Sequence, residues 1–458
     1  MLLRLRIRGF KNLRDVTVRF GPLTCFVGPN GVGKSNLFDA LQFLRALAES
    51  DIQTAAQSVR SPVTGAFGPR DLLWGARPDQ MVAFEVDMLV PRDVTDDFGR
   101  AGQPATTLLS YGVAFRYVEK PAPRLELAEE WLAPIKAGDA KQMLGFPHSA
   151  DFRKSAIKPS RRIGRFISTE TETEGVKLLL HQDGGSRGQP FPAGLSPRTV
   201  LGGTNAIEYP TVLAARREMA SWQLLHLEPS VMRAPDPFGG ISRVDERGGH
   251  IAAALARLVS LERAPGSTFA AAANALATLV PEVKSLRIDR DEARQQLSLA
   301  VTMQGMDHAL GPRALSDGTL RFLALVILQL DSRAGDVLCM EEPENGMHPS
   351  RIPAMVSLLR DFAIDPQSPV DDDNPPRQAI LNTHSPDVVR QLNTDEVLFV
   401  ESVEGPDGRS AWVSAVEGGW REGVPTVPVR RVADFIGGAP LSPGMRQLSL
   451  PLQFGTAR

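Results

Sequence analysis

Residues 23–48 narrow the possible folds more than any other part of the chain. Leu23 to Val27 is continuously apolar apart from Thr24, the pattern of a strand buried on both faces. Gly28-Pro29-Asn30-Gly31-Val32-Gly33-Lys34-Ser35 then satisfies G-x-x-x-x-G-K-[ST] in full. From Asn36 to Ala48, Leu37, Ala40, Leu41, Leu44 and Leu47 recur on one helical face. A buried strand, a glycine turn and an amphipathic helix in that order open an α/β sheet. In such a turn successive backbone N–H groups point the same way, and the helix that follows adds the positive end of its dipole. The segment is therefore suited to phosphate, with Lys34 to neutralise β- and γ-phosphates and the Ser35 hydroxyl to ligate Mg²⁺.

The rest of the chain divides around this opening. Leu3, Leu5 and Ile7 alternate with Arg4, Arg6 and Arg8, which predicts a strand with one basic face, and Asp15 to Phe20 predicts a second. From about Asp51 to Met306 the pattern loosens. Val82–Val90 and Leu108–Val118 read as strands, Asp183–Pro210 as a Gly/Pro-rich loop, and His250–Leu261 and Thr268–Leu279 as helices. Regularity returns with a helix over Thr319–Leu330, a strand over Val337–Met340 and a helix over Ser350–Phe362. An acidic loop (Asp365–Arg377) and a strand over Ala379–Asn382 follow. Beyond Glu401 a hairpin-like stretch leads into a Pro/Gly-punctuated tail expected to be poorly ordered. The expected architecture is α/β, a mixed or parallel sheet flanked by helices and split by a large α+β insertion. Residues 1–50 and 311–400 supply the two parts of the head, 51–310 the inserted β-rich lobe and helical region, and 401–458 the hairpin and tail.

Composition removes several alternatives. Lys and Arg number 51 against 53 Asp and Glu, a formal net charge of −2, so no bulk positive charge draws the chain onto nucleic acid. The longest apolar run, Phe322–Leu328, is far short of the roughly 20 residues that span a bilayer. The first nine residues lack the apolar centre of a signal peptide. Cys25 and Cys339 sit in apolar runs and cannot form a disulfide framework, so a reducing cytoplasm is expected.

Three further clusters carry chemistry. Val337–Met340 runs into Glu341-Glu342, two carboxylates at the end of an apolar strand, where α/β folds bind ligands. Glu341 is placed to hold Mg²⁺ and Glu342 to orient or deprotonate a water. Leu315-Ser316-Asp317-Gly318-Thr319 precedes a strongly apolar helix; Ser316 is a good N-cap, and Gly318 lets a ligand approach the backbone. Asn382-Thr383-His384-Ser385-Pro386 ends another buried strand and sets His384 at the same sheet edge, within reach of a γ-phosphate and its attacking water. Separately, Arg153, Lys154, Lys158, Arg161, Arg162 and Arg165 fall in thirteen residues without an acid, a candidate nucleic-acid contact.

The order of these elements resembles the ABC-type ATPase heads of the RecF, SMC and OLD proteins. The wording is most similar to the stand-alone OLD-like AAA-type ATPases of bacterial defence and repair operons. Phe10-Lys11-Asn12-Leu13, Gly28–Leu37, Leu315–Arg321, Glu341-Glu342-Pro343-Glu344 with His348-Pro349, and Asn382–Pro386 carry the likeness. The resemblance implies ATP contacts at Asn30, Gly31, Gly33, Lys34, Ser35 and Asn36, with Lys11 and Asn12 added from the N-terminal lobe. It implies Ser35 and Glu341 at the Mg²⁺, Glu342 as catalytic base, His384 as the switch histidine, and Lys34 on the transferred phosphate. It also implies a homodimer or higher homo-oligomer in which Ser316 and Gly318 of one copy seal the nucleotide of the other. Two departures stand out: Glu341 replaces the commoner Asp, and Ser-Asp-Gly-Thr replaces Ser-Gly-Gly-Gln. The family's loop glutamine has no clear counterpart; Gln42 is on the helix and Gln80 is isolated.

The function expected from this reading is an ATP-hydrolysing, dimerising switch serving bacterial anti-phage defence or DNA repair, with an effector protein encoded nearby. The alternative is a non-hydrolysing, nucleotide-dependent scaffold or sensor for an effector nuclease or toxin. A guanine-reading N-K-x-D motif is absent from the sequence, which removes a GTPase.

Overall fold

The short apolar strands of the two chain ends meet in one sheet. In the computed structural model, which describes residues 1–60, 68–160, 164–172, 175–184, 188–262, 264–331, 335–405 and 408–437, a seven-stranded sheet is built around Leu23–Val27. Its order is Gln223–Leu225, Val337–Glu341, Gln378–Thr383, Leu23–Val27, Val397–Gly405, Gly408–Val416 and Thr426–Val427. The first five strands are mutually parallel. Side chains alternate across the sheet: Val337 and Cys339 enter one core, Leu338 and Met340 the other. Burial on both faces explains why these strands read as unbroken apolar runs. Cys25 and Cys339 are free thiols inside it.

The helix after the glycine turn, Lys34–Glu49, lies between this sheet and a second one. That second sheet is antiparallel, in the order Gln189–Pro192, Gly175–Leu180, Ile167–Glu172, Arg124–Pro134, Leu108–Val118, Met81–Leu89, Leu2–Phe10 and Leu13–Arg19. Phe43 of the helix meets Phe10, Phe84 and Phe115 of the sheet at ring separations of 6.2, 5.6 and 5.6 Å. On the far side of the parallel sheet pack the helices Ile251–Leu261, Ser267–Ala277, Asp317–Leu330 and Ile352–Phe362.

Several elements depart from the sequence reading. The first strand, Leu2–Phe10, pairs with Met81–Leu89 of the middle region on one side and with Leu13–Arg19 on the other, so the antiparallel lobe is woven from both parts of the chain. The expected loop 183–210 contains the strand Gln189–Pro192 and the short helix Val200–Gly203. Pro190 and Pro192 are tolerated because that strand is the sheet's edge. The hairpin expected after Glu401 begins four residues earlier, at Val397, and its first strand joins the parallel sheet. A helix, Val429–Phe435, follows it; the tail from 438 onward lies outside the described residues. The middle region also contributes the hairpin Val283–Asp291/Gln296–Met303. Among the described residues no helix is long and apolar enough to cross a membrane.

Candidate nucleotide site

The parallel register brings the chemistry-bearing residues to one edge. Glu341 lies opposite Asn382, the strand Leu23–Val27 runs beside it, and each strand releases its next residues on the same side. The turn leaving Val27 ends at Gly33, whose φ of 111° places it in the left-handed region that caps the helix. A Cβ there would sit 2.4 Å from the Asn12 amide, so only glycine allows Asn12 to close over the loop. Asn12 donates to the Val32 carbonyl at 3.1 Å and accepts from Asn36 at 2.7 Å. Lys11 Nζ donates to Asp39 at 2.6 Å. Lys11 and Asn12 therefore brace the loop from the antiparallel sheet, while Asn30 and Gly31 form its exposed tip.

Lys34 is nearly buried and donates to the carbonyls of Gly28 at 2.6 Å and Pro29 at 2.8 Å. Burial lowers its pKa, against the pull of Glu342, Glu341 and Glu344 nearby. A cation held over a curled backbone, with a Gly31 that opens onto empty space and an exposed Ser35, suits a polyphosphate. A divalent ion would be held by Ser35 and Glu341. Among the described residues no cluster of three or more His, Cys, Asp or Glu is placed to hold a metal.

Glu342 occupies a strained position, φ 46°, which a non-glycine residue adopts at a cost of about 1–3 kcal/mol. Its backbone N–H donates to the Asn382 carbonyl at 2.9 Å. One carboxylate oxygen lies 2.7 Å from His384 Nδ1 and the other accepts from Asn345 at 2.8 Å. Burial raises its pKa, but the hydrogen bonds from Asn345 and His384 and the charges of His384 and Lys34 outweigh this, and the net shift is downward. It is an ionised acceptor at neutral pH. Glu344 differs: it is buried against Thr383 and burial pushes its pKa up. His384 itself is exposed, as a residue meeting a ligand should be.

Ser316 caps the helix Asp317–Leu330, its hydroxyl accepting from Thr319 N–H at 3.2 Å. Gly318 packs against the 346–347 turn. Arg233 fixes this loop through the Leu315 carbonyl at 3.0 Å and Asp317 at 2.6 Å. Arg321, one turn into the helix, donates to the carbonyl of Asn345, the residue that holds Glu342. The described contacts of Ser316 and Gly318 are thus with their own helix and the 346–347 turn, and not with the phosphate loop of the same copy.

Several site residues have no role assigned from the sequence. Arg60 spans Asp39 and both oxygens of Glu341. Asn345 lies in an irregular turn. The strand beside Glu341 is three residues long and delivers His226 and Glu228, which line a cavity of about 350 Å³ with Arg321, Glu341, Glu342 and Asn345. Among the described residues the cavity lining holds no glutamine; Gln42 is part of the helix and Gln80 precedes the strand Met81–Leu89. Of the basic run, Arg153 and Lys154 lie on a short helix, Lys158 reaches Gln103 and Arg165 covers the Trp131 ring; Arg161 and Arg162 lie outside the described residues.

A family model described as "AAA domain, putative AbiEii toxin, Type IV TA system" matches residues 23–95 and 266–390, a little under half of the chain. The phosphate loop falls in the first stretch; Ser316, Gly318, Glu341, Glu342 and His384 fall in the second. An OLD nuclease of Thermus scotoductus is 39% identical over 62 residues, 14% of this chain and 11% of the relative. The DNA replication and repair protein RecF of Bacteroides thetaiotaomicron is 41% identical over 61 residues, 13% of this chain and 16% of that protein. The chain thus aligns with only a small part of either relative. An SMC head solved bound to the C-winged helix domain of ScpA gives 12% identity and a TM-score of 0.43, covering 91% of this chain and 98% of that one. Over these two stretches the chain is similar to the AAA domain that the family model describes, and its phosphate loop, Leu315–Thr319 loop, acid pair and histidine occur within them in that order.

Proposed function

We propose that this head hydrolyses ATP and works as a switch, two or more copies closing on one another through bound nucleotide and parting after hydrolysis. The observation that carries the proposal is the Glu342–His384 pair at 2.7 Å, its carboxylate ionised and standing at the sheet edge in the field of Lys34. Hydrolysis of a phosphoanhydride asks for positioning and charge stabilisation more than covalent chemistry. In this reading Glu342 orients the water and takes its proton. His384, with Nδ1 committed to Glu342, presents Nε2 to the γ-phosphate. Lys34 leaves the loop carbonyls for the phosphate oxygens, and Mg²⁺ bound by Ser35 and Glu341 would offset charge on the β- and γ-phosphates. Ser316 and Gly318 seal the nucleotide of the partner copy. We place the switch in anti-phage defence or DNA repair, with an effector encoded nearby; the match to RecF, a DNA replication and repair protein, supports the repair role.

Glu342→Gln tests the chemistry. The amide can accept from Asn345 and donate to His384, so the fold should hold, while turnover should fall by roughly 10²- to 10⁴-fold, the usual contribution of a general base. ATP-bound assemblies should then accumulate on size exclusion. Undiminished phosphate release in the variant would remove Glu342 from the mechanism. ATP-dependent association of the wild type without any phosphate release would favour a non-hydrolysing sensor.

A further inference from the structure

Arg60 has no part in the reaction as just described, yet it makes the densest set of hydrogen bonds at the site. Nη1 and Nη2 donate to the two oxygens of Glu341 at 2.8 and 2.6 Å, a bidentate fork. Nε donates to Asp39 at 2.9 Å, and Nη2 also reaches the Ser35 carbonyl at 3.1 Å. The guanidinium therefore sits between Ser35 and Glu341, the two residues that would hold a divalent cation. We propose that Arg60 is an internal counter-ion standing in the metal's place on Glu341, and that a divalent cation must displace it to bind. This rests on the nucleotide–metal reading above and assigns a gate to that site.

Two features make displacement feasible. The Arg60 side chain is 48% exposed while that of Glu341 is 16% exposed, so the arginine can turn into water without disturbing the sheet. The buried Asp39 keeps Lys11 at 2.6 Å and is not stranded when Arg60 departs. A dication and a guanidinium compete for the same two oxygens, and whichever binds excludes the other's fork or shell. The consequence is a site reluctant to take metal until phosphate oxygens add their own pull.

The test uses the full chain with MgCl₂ titrated at saturating ADP, read as the melting temperature. Wild type is compared with Arg60→Gln, Arg60→Lys, Glu341→Gln and the Arg60→Gln/Glu341→Gln double variant. Removing a partly exposed ion pair should lower the Mg²⁺ concentration for half-maximal stabilisation by about fivefold in Arg60→Gln. Arg60→Lys, which keeps the charge without the fork, should fall between and serves alone if the glutamine variant does not fold. In the Glu341→Gln background the Arg60 substitution should shift nothing. An unchanged or increased Mg²⁺ requirement in the Arg60 variants overturns the proposal while leaving the nucleotide site intact. If ADP stabilises no variant at any Mg²⁺ concentration, the nucleotide reading fails and the gate with it.

Discussion

Replacing Ser316 separates a helix cap from a contact across a dimer. The Ser316 hydroxyl accepts from Thr319 N–H at 3.2 Å and lies 2.8 Å from the Thr319 hydroxyl. As a cap it is worth about 1 kcal/mol, lost in Ser316→Ala. Aspartate caps as well as serine and favours the helix's positive end, so Ser316→Asp should keep stability within about 0.5 kcal/mol of the parent. If this exposed loop meets the partner's γ-phosphate, however, the new carboxylate faces another negative charge. At about 4 Å and an effective dielectric near 20 that repulsion is about 4 kcal/mol, roughly a thousandfold in affinity at each interface. The assay is sedimentation velocity with ATP in the Glu342→Gln background, with urea unfolding as the control and nucleotide binding by single heads as the second. Ser316→Asp should unfold like the parent, bind ATP like the parent and fail to associate. A stable Ser316→Asp that still associates with ATP would refute the cross-dimer role, and Ser316 would be a cap alone.

Two other substitutions probe the scaffold. Gly33→Ala forces a Cβ to within 2.4 Å of the Asn12 amide at φ 111°, combining roughly 1–2 kcal/mol of left-handed strain with the loss of Asn12's hydrogen bonds. Urea unfolding should show a loss of about 3 kcal/mol and nucleotide binding should weaken; unchanged stability would mean the loop is looser than described. Glu130 accepts from Val200 and Leu201 N–H at 2.7 and 2.9 Å and from the Tyr111 hydroxyl at 3.1 Å, yet burial pushes its pKa up to about 7. The folded chain then keeps a proton that the unfolded chain releases near pH 4.5, so stability from this group is full below that pH and lost as pH rises toward 7, by about 3 kcal/mol. Urea unfolding across pH 4.5–7.5 should show this decline in wild type and not in Glu130→Gln; parallel profiles would refute it.

The phosphate loop and the strands that flank it were legible because each is a short apolar run with glycine or acid punctuation, a pattern set by burial on both faces. The placement of Glu342 and His384 at the sheet edge was legible for the same reason, since each follows directly on such a strand. Arg60 was not: its partner Glu341 is 281 residues away, and an arginine just past a helix looks like any solvated cation. His226 and Glu228 follow a strand of three residues, below the length at which periodicity speaks. Asn345 sits in a turn whose role depends on the strained backbone of Glu342. The weaving of Leu2–Phe10 with Met81–Leu89 was hidden because alternation reports that a strand has two faces and is silent about its neighbours.

The position of Leu23–Val27 between Gln378–Thr383 and Val397–Gly405 sets a timetable for synthesis. The strand that leads into the phosphate loop has both its hydrogen-bonding edges bare until about 350 further residues have followed. Pairings this distant in sequence fold slowly and leave sticky edges in the meantime. A chain ended before Gln378 therefore leaves the strand that leads into the phosphate loop without either of its neighbours.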